Sequence, residues 1–291
     1  MPSNYGGPDS VRGPLVAVGG AEDKLGDRII LRRFVDLAGG SAARIVVVPI
    51  ASSYAGEVAD RYRAVFADLG AAQVDVVDAV LREQALDPAL ARPIEAATGV
   101  FLSGGNQLKI ATLLGGTPAA VALRRCHAQG AVVGGTSAGA SVLSQHMIAF
   151  GRPGGSPTQR MVTLSPGLGL TNRLIIDQHF RQRDRIGRLM AAVALNPFLL
   201  GVGVDEDTAL VLDAENIGEV VGRHSVTFVD GAEITYSDVY QAKQHANVAI
   251  HNARVHVLTH GQRFDIVARR PLSPAVPASL PAAELELLDD D

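Results

Sequence analysis

Residues Arg44-Ile-Val-Val-Val-Pro49 form a β-branched run with no polar face. A strand solvated on one side alternates apolar and polar residues, so a continuous apolar run implies a strand covered on both faces. Leu15-Val-Ala-Val18, Gly99-Val-Phe-Leu102 and Ala131-Val-Val133 have the same texture, and Val74-Asp-Val-Val77 reads as a further strand. Between these runs lie stretches with helical spacing: Asp27–Leu37 (Ile30, Leu31, Phe34, Leu37), Ala55–Leu69, Leu108–Leu114 and Thr117–Gln129. Thr117-Pro118 suits a helix start, with an N-cap oxygen followed by proline. Leu174-Ile-Ile176 and Gly201-Val-Gly-Val204 continue the series, with a helix expected over Asp184–Ala194. The alternation predicts an α/β fold, a mostly parallel three-layer sheet with helices on both faces. Sites in such sheets lie at the carboxyl ends of the strands.

After Asp205 the texture changes. Thr208–Leu212, Gly218–Val221, Ser225–Val229, Val248–Val257 and Phe264–Val267 read as short strands, with Asp230-Gly231 as a hairpin signal. They predict a C-terminal antiparallel β extension on the sheet edge. The expected organisation is a flexible segment over 1–13, one catalytic α/β domain over 14–270 and a disordered tail over 271–291, where proline, alanine and acidic residues dominate.

Composition excludes several classes. A formal net charge of -4 lacks the basic face that nucleic-acid binding requires. No apolar run approaches the ~20 residues of a membrane helix, and Met1–Gly13 lacks the apolar stretch of a secretory signal, so a cytoplasmic protein is expected. The single cysteine, Cys126, forbids an intrachain disulfide and reads as a small buried residue.

Gly135-Thr-Ser-Ala-Gly139 follows a buried strand and opens a helix expected to run from Ala138 to about His146. Glycine on each side of the serine permits a tight turn that presents Oγ at the cleft. Ser137 is therefore the candidate nucleophile. Of eight histidines, His179 stands at a strand's carboxyl end on the edge expected to carry Ser137, which makes it the candidate base. The next strand ends in Gly203-Val-Asp-Glu-Asp-Thr208. Glu206 is the preferred acid, with Asp205 and Asp207 as alternatives. The order Ser, His, acid differs from the Ser, acid, His of α/β-hydrolases. Ser103-Gly-Gly-Asn-Gln107 is another strand-end turn, and the Gly105 and Ala138 amides are candidate oxyanion donors. Arg181, Arg185 and Arg188 share a helical face if the helix reaches back to Arg181; such forks grip carboxylates. Asp177 and Gln178 suit a cationic or polar group. No metal-ligand spacing or dinucleotide fingerprint is present, so no metal and no cofactor are expected.

Gly19-Gly-Ala-Glu-Asp-Lys24, Phe101-Leu-Ser-Gly-Gly-Asn-Gln107, Gly134-Gly-Thr-Ser-Ala-Gly-Ala140, Asp177-Gln-His-Phe-Arg-Gln-Arg-Asp-Arg-Ile-Gly-Arg-Leu189 and Gly203-Val-Asp-Glu-Asp-Thr-Ala209 closely resemble the cyanophycinase family. These are serine exopeptidases related to peptidase E, with a fold like the class I glutamine amidotransferases. The resemblance spans about Leu15 to Val267. It implies hydrolysis of cyanophycin, a poly-aspartate backbone bearing arginine on each side-chain carboxyl, to β-aspartyl-arginine. It implies Ser137, His179 and Glu206 as the catalytic triad, and substrate binding by Asn106 or Gln107, Asp177, Gln178, Arg183, Arg185 and Arg188. It also implies a homodimer. The alternatives are a peptidase E-like dipeptidase acting on aspartyl or isoaspartyl peptides, and a non-catalytic binding module.

Overall fold

The computed structural model describes residues 12–272. Its strands are β1 (Leu15–Val18), β2 (Arg44–Val48), β3 (Gln73–Val76), β4 (Gly99–Leu102), β5 (Val132–Thr136), β6 (His146–Gly151), β7 (Val162–Pro166), β8 (Leu174–Gln178) and β9 (Leu200–Val204). They continue with β10 (Thr208–Leu212), β11 (Ile217–Gly222), β12 (Ser225–Asp230), β13 (Tyr236–Ser237), β14 (Ile250–His251), β15 (Arg254–Thr259), β16 (Arg263–Asp265) and β17 (Arg270–Pro271). The helices are α1 (Ile29–Leu37), α2 (Ala55–Asp68), α3 (Arg82–Ala85), α4 (Arg92–Glu95), α5 (Gln107–Leu114), α6 (Pro118–Ala128), α7 (Ala138–Ser141) and α8 (Ile186–Leu195).

The main sheet has the order β17-β16-β11-β10-β1-β5-β4-β2-β3. Its β1, β5, β4, β2 and β3 are mutually parallel, and β10, β11, β16 and β17 extend the β1 edge antiparallel. One face is covered by α1 and α2, where Phe34, Tyr62, Phe66 and Phe101 form an aromatic cluster. The opposite face packs on α5 and α6 and on a second sheet.

The α/β architecture with an antiparallel extension is as expected, but the parallel strands do not all share one sheet. β8 and β9 are parallel to each other, but they belong to a separate four-stranded sheet of order β15-β12-β9-β8. The free side of β1 is taken by β10, which returns antiparallel immediately after the turn at Asp205–Asp207. The inner faces of the two sheets share one apolar core, in which Ile176, Val202 and Phe228 meet Leu210, Val220 and Phe264. Outside the second sheet lies α8, with Leu189 and Val193 against Ile175 and Val229.

Three further expectations change. The helix opened by Ala138 stops at Ser141, and His146 begins β6. The carbonyls of Val142 and Leu143, which would have continued it, instead accept from Leu168 N–H (2.7 Å) and Leu170 N–H (2.9 Å). Asp230-Gly231 does not close a hairpin, since β12 pairs with β15 across a 23-residue excursion from Asp230 to Arg254. The Asp230 carboxylate is instead a buried hub for Arg254 (2.9 Å) and Arg269 (2.6 Å). The stretch Val248–Val257 divides into β14 and the start of β15.

Most of the 1–13 and 271–291 segments lies outside the described residues. Within them, Gly13 is pinned by its N–H to the His127 carbonyl (2.7 Å), and Pro271 pairs with Phe264. No helix among the described residues is long and apolar enough to cross a membrane.

Candidate active site

Ser137 sits at the carboxyl end of β5 with φ 52° and ψ −113°. Non-glycine residues rarely occupy this backbone region, and such strain persists only where the surroundings enforce it. Here the Ser137 N–H donates to the Val18 carbonyl at 3.0 Å, while its own carbonyl accepts from Ala140 and Ser141. The flanking glycines have a steric reason. A Cβ on Gly135 would collide with the backbone of Gly139, and one on Gly139 would collide with the Leu102 carbonyl. The turn therefore presses against β4 and projects its serine outward.

His179 lies just past β8, in the second sheet, at φ 46°. Its N–H donates to the Gly19 carbonyl at 2.7 Å, which ties the end of β8 to the end of β1. The ring spans the gap between the sheets. Nε2 is 2.8 Å from Ser137 Oγ, and Nδ1 is 2.6 Å from Glu206 Oε1. A proton on Nδ1 facing the carboxylate leaves Nε2 bare to accept from the serine hydroxyl. Burial pushes the imidazole pKa below its ordinary value. The Glu206 hydrogen bond and charge oppose that shift, and the charges of Arg183 and Arg185 add to it. The neutral form, able to take a proton, is thereby favoured at neutral pH.

The three successive acids have three different partners. Asp205 is buried and accepts from Arg181 N–H (2.9 Å) and Ser225 Oγ (2.8 Å). Asp207 accepts from Asp23 N–H (2.8 Å) and pairs with Arg223 (3.0 Å). Only Glu206 faces the histidine, and its N–H donates to Gln182 Oε1 at 3.1 Å.

Gly104 lies against the serine; a Cβ there would sit 3.3 Å from Ser137 Cβ. Gly105 is exposed at φ 141° and packs against the Ala51 backbone, while Ala138 is buried as the first residue of α7. Asn106 caps α5 through Leu108 N–H (2.9 Å). The Gln107 side-chain amide donates to the Ile148 (3.1 Å) and Ala149 (2.8 Å) carbonyls, which binds β6 to the site.

The arginines divide by partner. Residues 181–183 form a 3₁₀ turn, and left-handed Asp184 (φ 48°) separates it from α8, so no common helical face forms. Arg181 turns to Asp205. Arg188 is 5% exposed and grips Asp177, 1% exposed, with both arms; its Nε–Oδ2 contact is 2.6 Å. It also donates to the Gly151 carbonyl at 3.0 Å. Arg185 donates to the Gln178 carbonyl at 2.5 Å and to the Gln178 side chain, beside Asp177. Burial lowers the Arg185 pKa to about 10. Arg183 is exposed, near enough to influence His179, and carries no salt bridge among those of the described residues. Asp177 and Arg188 are thus paired inside the protein, Arg185 is mostly covered and joins the same pair, and Arg183 is exposed.

Two features escaped sequence reasoning. Gly20, at φ 101°, lies where a Cβ would overlap the His179 ring, 2.5 Å from Nε2. Glu22, 3% exposed, accepts from Thr136 Oγ1 at 2.6 Å, directly behind the serine. Both belong to residues 19–24, the turn after β1, which carried part of the family resemblance but gave no role to either residue.

A profile of peptidase family S51 matches residues 15–220. The chain is 40% identical over 270 residues to the cyanophycinase of Trichormus variabilis, covering 92% of this chain and 90% of that one. It is 39% identical over 264 residues to the cyanophycinase of Geminocystis herdmanii, covering 90% and 97% respectively. The crystal structure of a peptidase from an acI-B1 actinobacterium shares the fold, with a TM-score of 0.65 at 22% identity over 88% of this chain and 98% of that chain. With the profile spanning most of the chain and relatives matching nearly all of it, the protein belongs to peptidase family S51.

Proposed function

We propose that this protein is a serine-type exopeptidase that hydrolyses cyanophycin to β-aspartyl-arginine, with Ser137 as nucleophile, His179 as base and Glu206 as the group that orients it. The observation that carries the reading is the chain of contacts from Ser137 Oγ to His179 Nε2 (2.8 Å) and from Nδ1 to Glu206 Oε1 (2.6 Å). The cyanophycinase relatives support the substrate.

Ser137 Oγ attacks the backbone carbonyl carbon as its proton passes to Nε2. Negative charge gathers on the carbonyl oxygen, for which the Gly105 and Ala138 amides are the proposed donors. The C–N bond breaks as Nε2 returns the proton to the leaving amine. Water then repeats the sequence on the acyl-enzyme, so no cofactor is required. Glu206 holds the Nδ1 proton and stabilises the imidazolium.

Each polymer unit carries an arginine carboxylate and a guanidinium. Arg183 and Arg185 pair the carboxylates; Asn106, Gln107 and Gln178 offer amides to the guanidinium. Asp177 and Arg188, paired with each other and with Arg185, hold this arginine cluster in place. A homodimer and a cytoplasmic setting belong to the same proposal, supported by the family resemblance; sedimentation as a monomer would overturn the dimer.

Incubation with cyanophycin followed by mass spectrometry tests the reading, with Ser137→Ala as control. Release of β-aspartyl-arginine by the wild type alone is expected. No release by the wild type discards the substrate, and release by Ser137→Ala discards the nucleophile.

A further inference from the structure

The turn after β1 touches all three segments that carry the serine, the histidine and the acid. Gly19 O accepts from His179 N–H (2.7 Å), Gly20 O accepts from Asp207 N–H (2.9 Å), and Asp23 N–H donates to Asp207 Oδ1 (2.8 Å). The third link is made by Glu22. Its Oε2 accepts from the hydroxyl of Thr136, the residue immediately before Ser137, and its Oε1 accepts from the Tyr62 hydroxyl on α2. Lys24 Nζ stands 3.0 Å from the same Oε1 and also donates to the Glu22 carbonyl (3.0 Å).

A carboxylate this deeply buried is costly to desolvate unless it is paired and hydrogen-bonded. Glu22 has two hydroxyl donors and one ammonium, so its position is set from three directions. Burial and the Glu22 charge drive the Tyr62 hydroxyl pKa well upward, so Tyr62 stays a donor. Thr136 is 4% exposed and is the last residue of β5; the backbone enters its strained conformation one residue later. A tether at Thr136 therefore acts at the base of the serine turn.

We propose that Glu22 is a positioning residue, which through the Thr136 hydroxyl holds the Ser137 turn in register with His179. The proposal rests on the reading of Ser137 as nucleophile but not on the substrate. It touches no reacting atom and acts on distance: misplacement of a reacting group by about 1 Å costs on the order of 10²-fold in rate.

The test compares Thr136→Val, which keeps shape and removes the hydroxyl, with Thr136→Ser, which keeps the hydroxyl, and adds Glu22→Gln. The readouts are the rate of Ser137 modification by a fluorophosphonate probe, kcat and KM for cyanophycin cleavage, and the thermal midpoint. Thr136→Val should lose about 10- to 100-fold in labelling rate and in kcat, with little change in KM. Thr136→Ser should restore most of both, and Glu22→Gln should fall between. Wild-type labelling in both Thr136→Val and Glu22→Gln would overturn the proposal. So would equal loss in Thr136→Val and Thr136→Ser, or a loss that only follows the thermal midpoint. If the wild type is labelled but cleaves no cyanophycin, the substrate assignment fails while labelling still decides the role of Glu22. If the wild type takes no label at all, both fall.

Discussion

The imidazole of His179 fills the space that a side chain on Gly20 would need, 2.5 Å from Nε2 and 2.9 Å from Nδ1 at the position of a Cβ. Gly20→Ala must displace the ring, and its φ of 101° disfavours alanine as well. The expected result is a loss of about 10²-fold or more in kcat. Steady-state cleavage rates and probe labelling check it. Wild-type rates in this variant would mean that the ring has room to settle without losing Ser137.

The His179 pKa is lowered first by burial, with Arg183 and Arg185 adding to the effect against Glu206. The acid limb of the labelling rate should therefore lie below the ordinary imidazole value of about 6.5. Arg183→Ala removes one cation that disfavours the imidazolium, so the limb should move to higher pH. Labelling rates of the free enzyme over about pH 4 to 8 read this without substrate. An unmoved limb would leave Arg183 without electrostatic hold on His179.

Removing Asp177 leaves the buried Arg188 guanidinium without its carboxylate. Breaking a buried pair from one side typically costs about 3–5 kcal/mol. Asp177→Ala should lose stability of that order in urea unfolding. Arg181→Ala, whose side chain is 69% exposed and 3.8 Å from Asp205, should cost less than about 1 kcal/mol. Equal midpoints for the two variants would contradict the division of the arginines.

His127 is buried in α6, and its Nε2 has no hydrogen-bond partner among the described residues. Burial lowers its pKa from 6.5 to about 4. The unfolded chain then binds more protons than the folded one between those values, so stability rises with pH across that window and is lost as pH falls through it. The gap of about 2.5 in pKa corresponds to about 3 kcal/mol in all. His127→Leu should flatten urea midpoints measured near about pH 5 and 7. An unchanged slope would assign the acid sensitivity to other groups.

Much of the architecture was legible because its signals are local. The Arg44–Val48 run needs cover on both faces wherever it sits, and Gly135-Thr-Ser-Ala-Gly139 carries its serine between two glycines at a strand end, a pattern contained within five residues. The split into two sheets was not legible. Leu174–Ile176 and Gly201–Val204 show the same apolar texture in either sheet, and the choice is made by β10 occupying the edge of β1. The end of α7 was hidden for a similar reason, since distant Leu168 and Leu170 claim the carbonyls that a longer helix would use. The contact of Glu206 with His179, in place of Asp205 or Asp207, depends on turn geometry that three adjacent acids cannot reveal. Asp177 and Arg188 read as two charges beside a cleft, yet their mutual grip turns both inward.

Ser137 ends a strand of the main sheet, whereas His179 ends a strand of the second sheet and Glu206 follows its neighbour. Their 2.8 Å and 2.6 Å contacts exist only once the two sheets have seated against each other. With the two sheets apart, Ser137 and His179 would stand on separate layers and neither contact could form. The chain of contacts is therefore a report on the closure of one sheet upon the other, held only when the whole core is assembled.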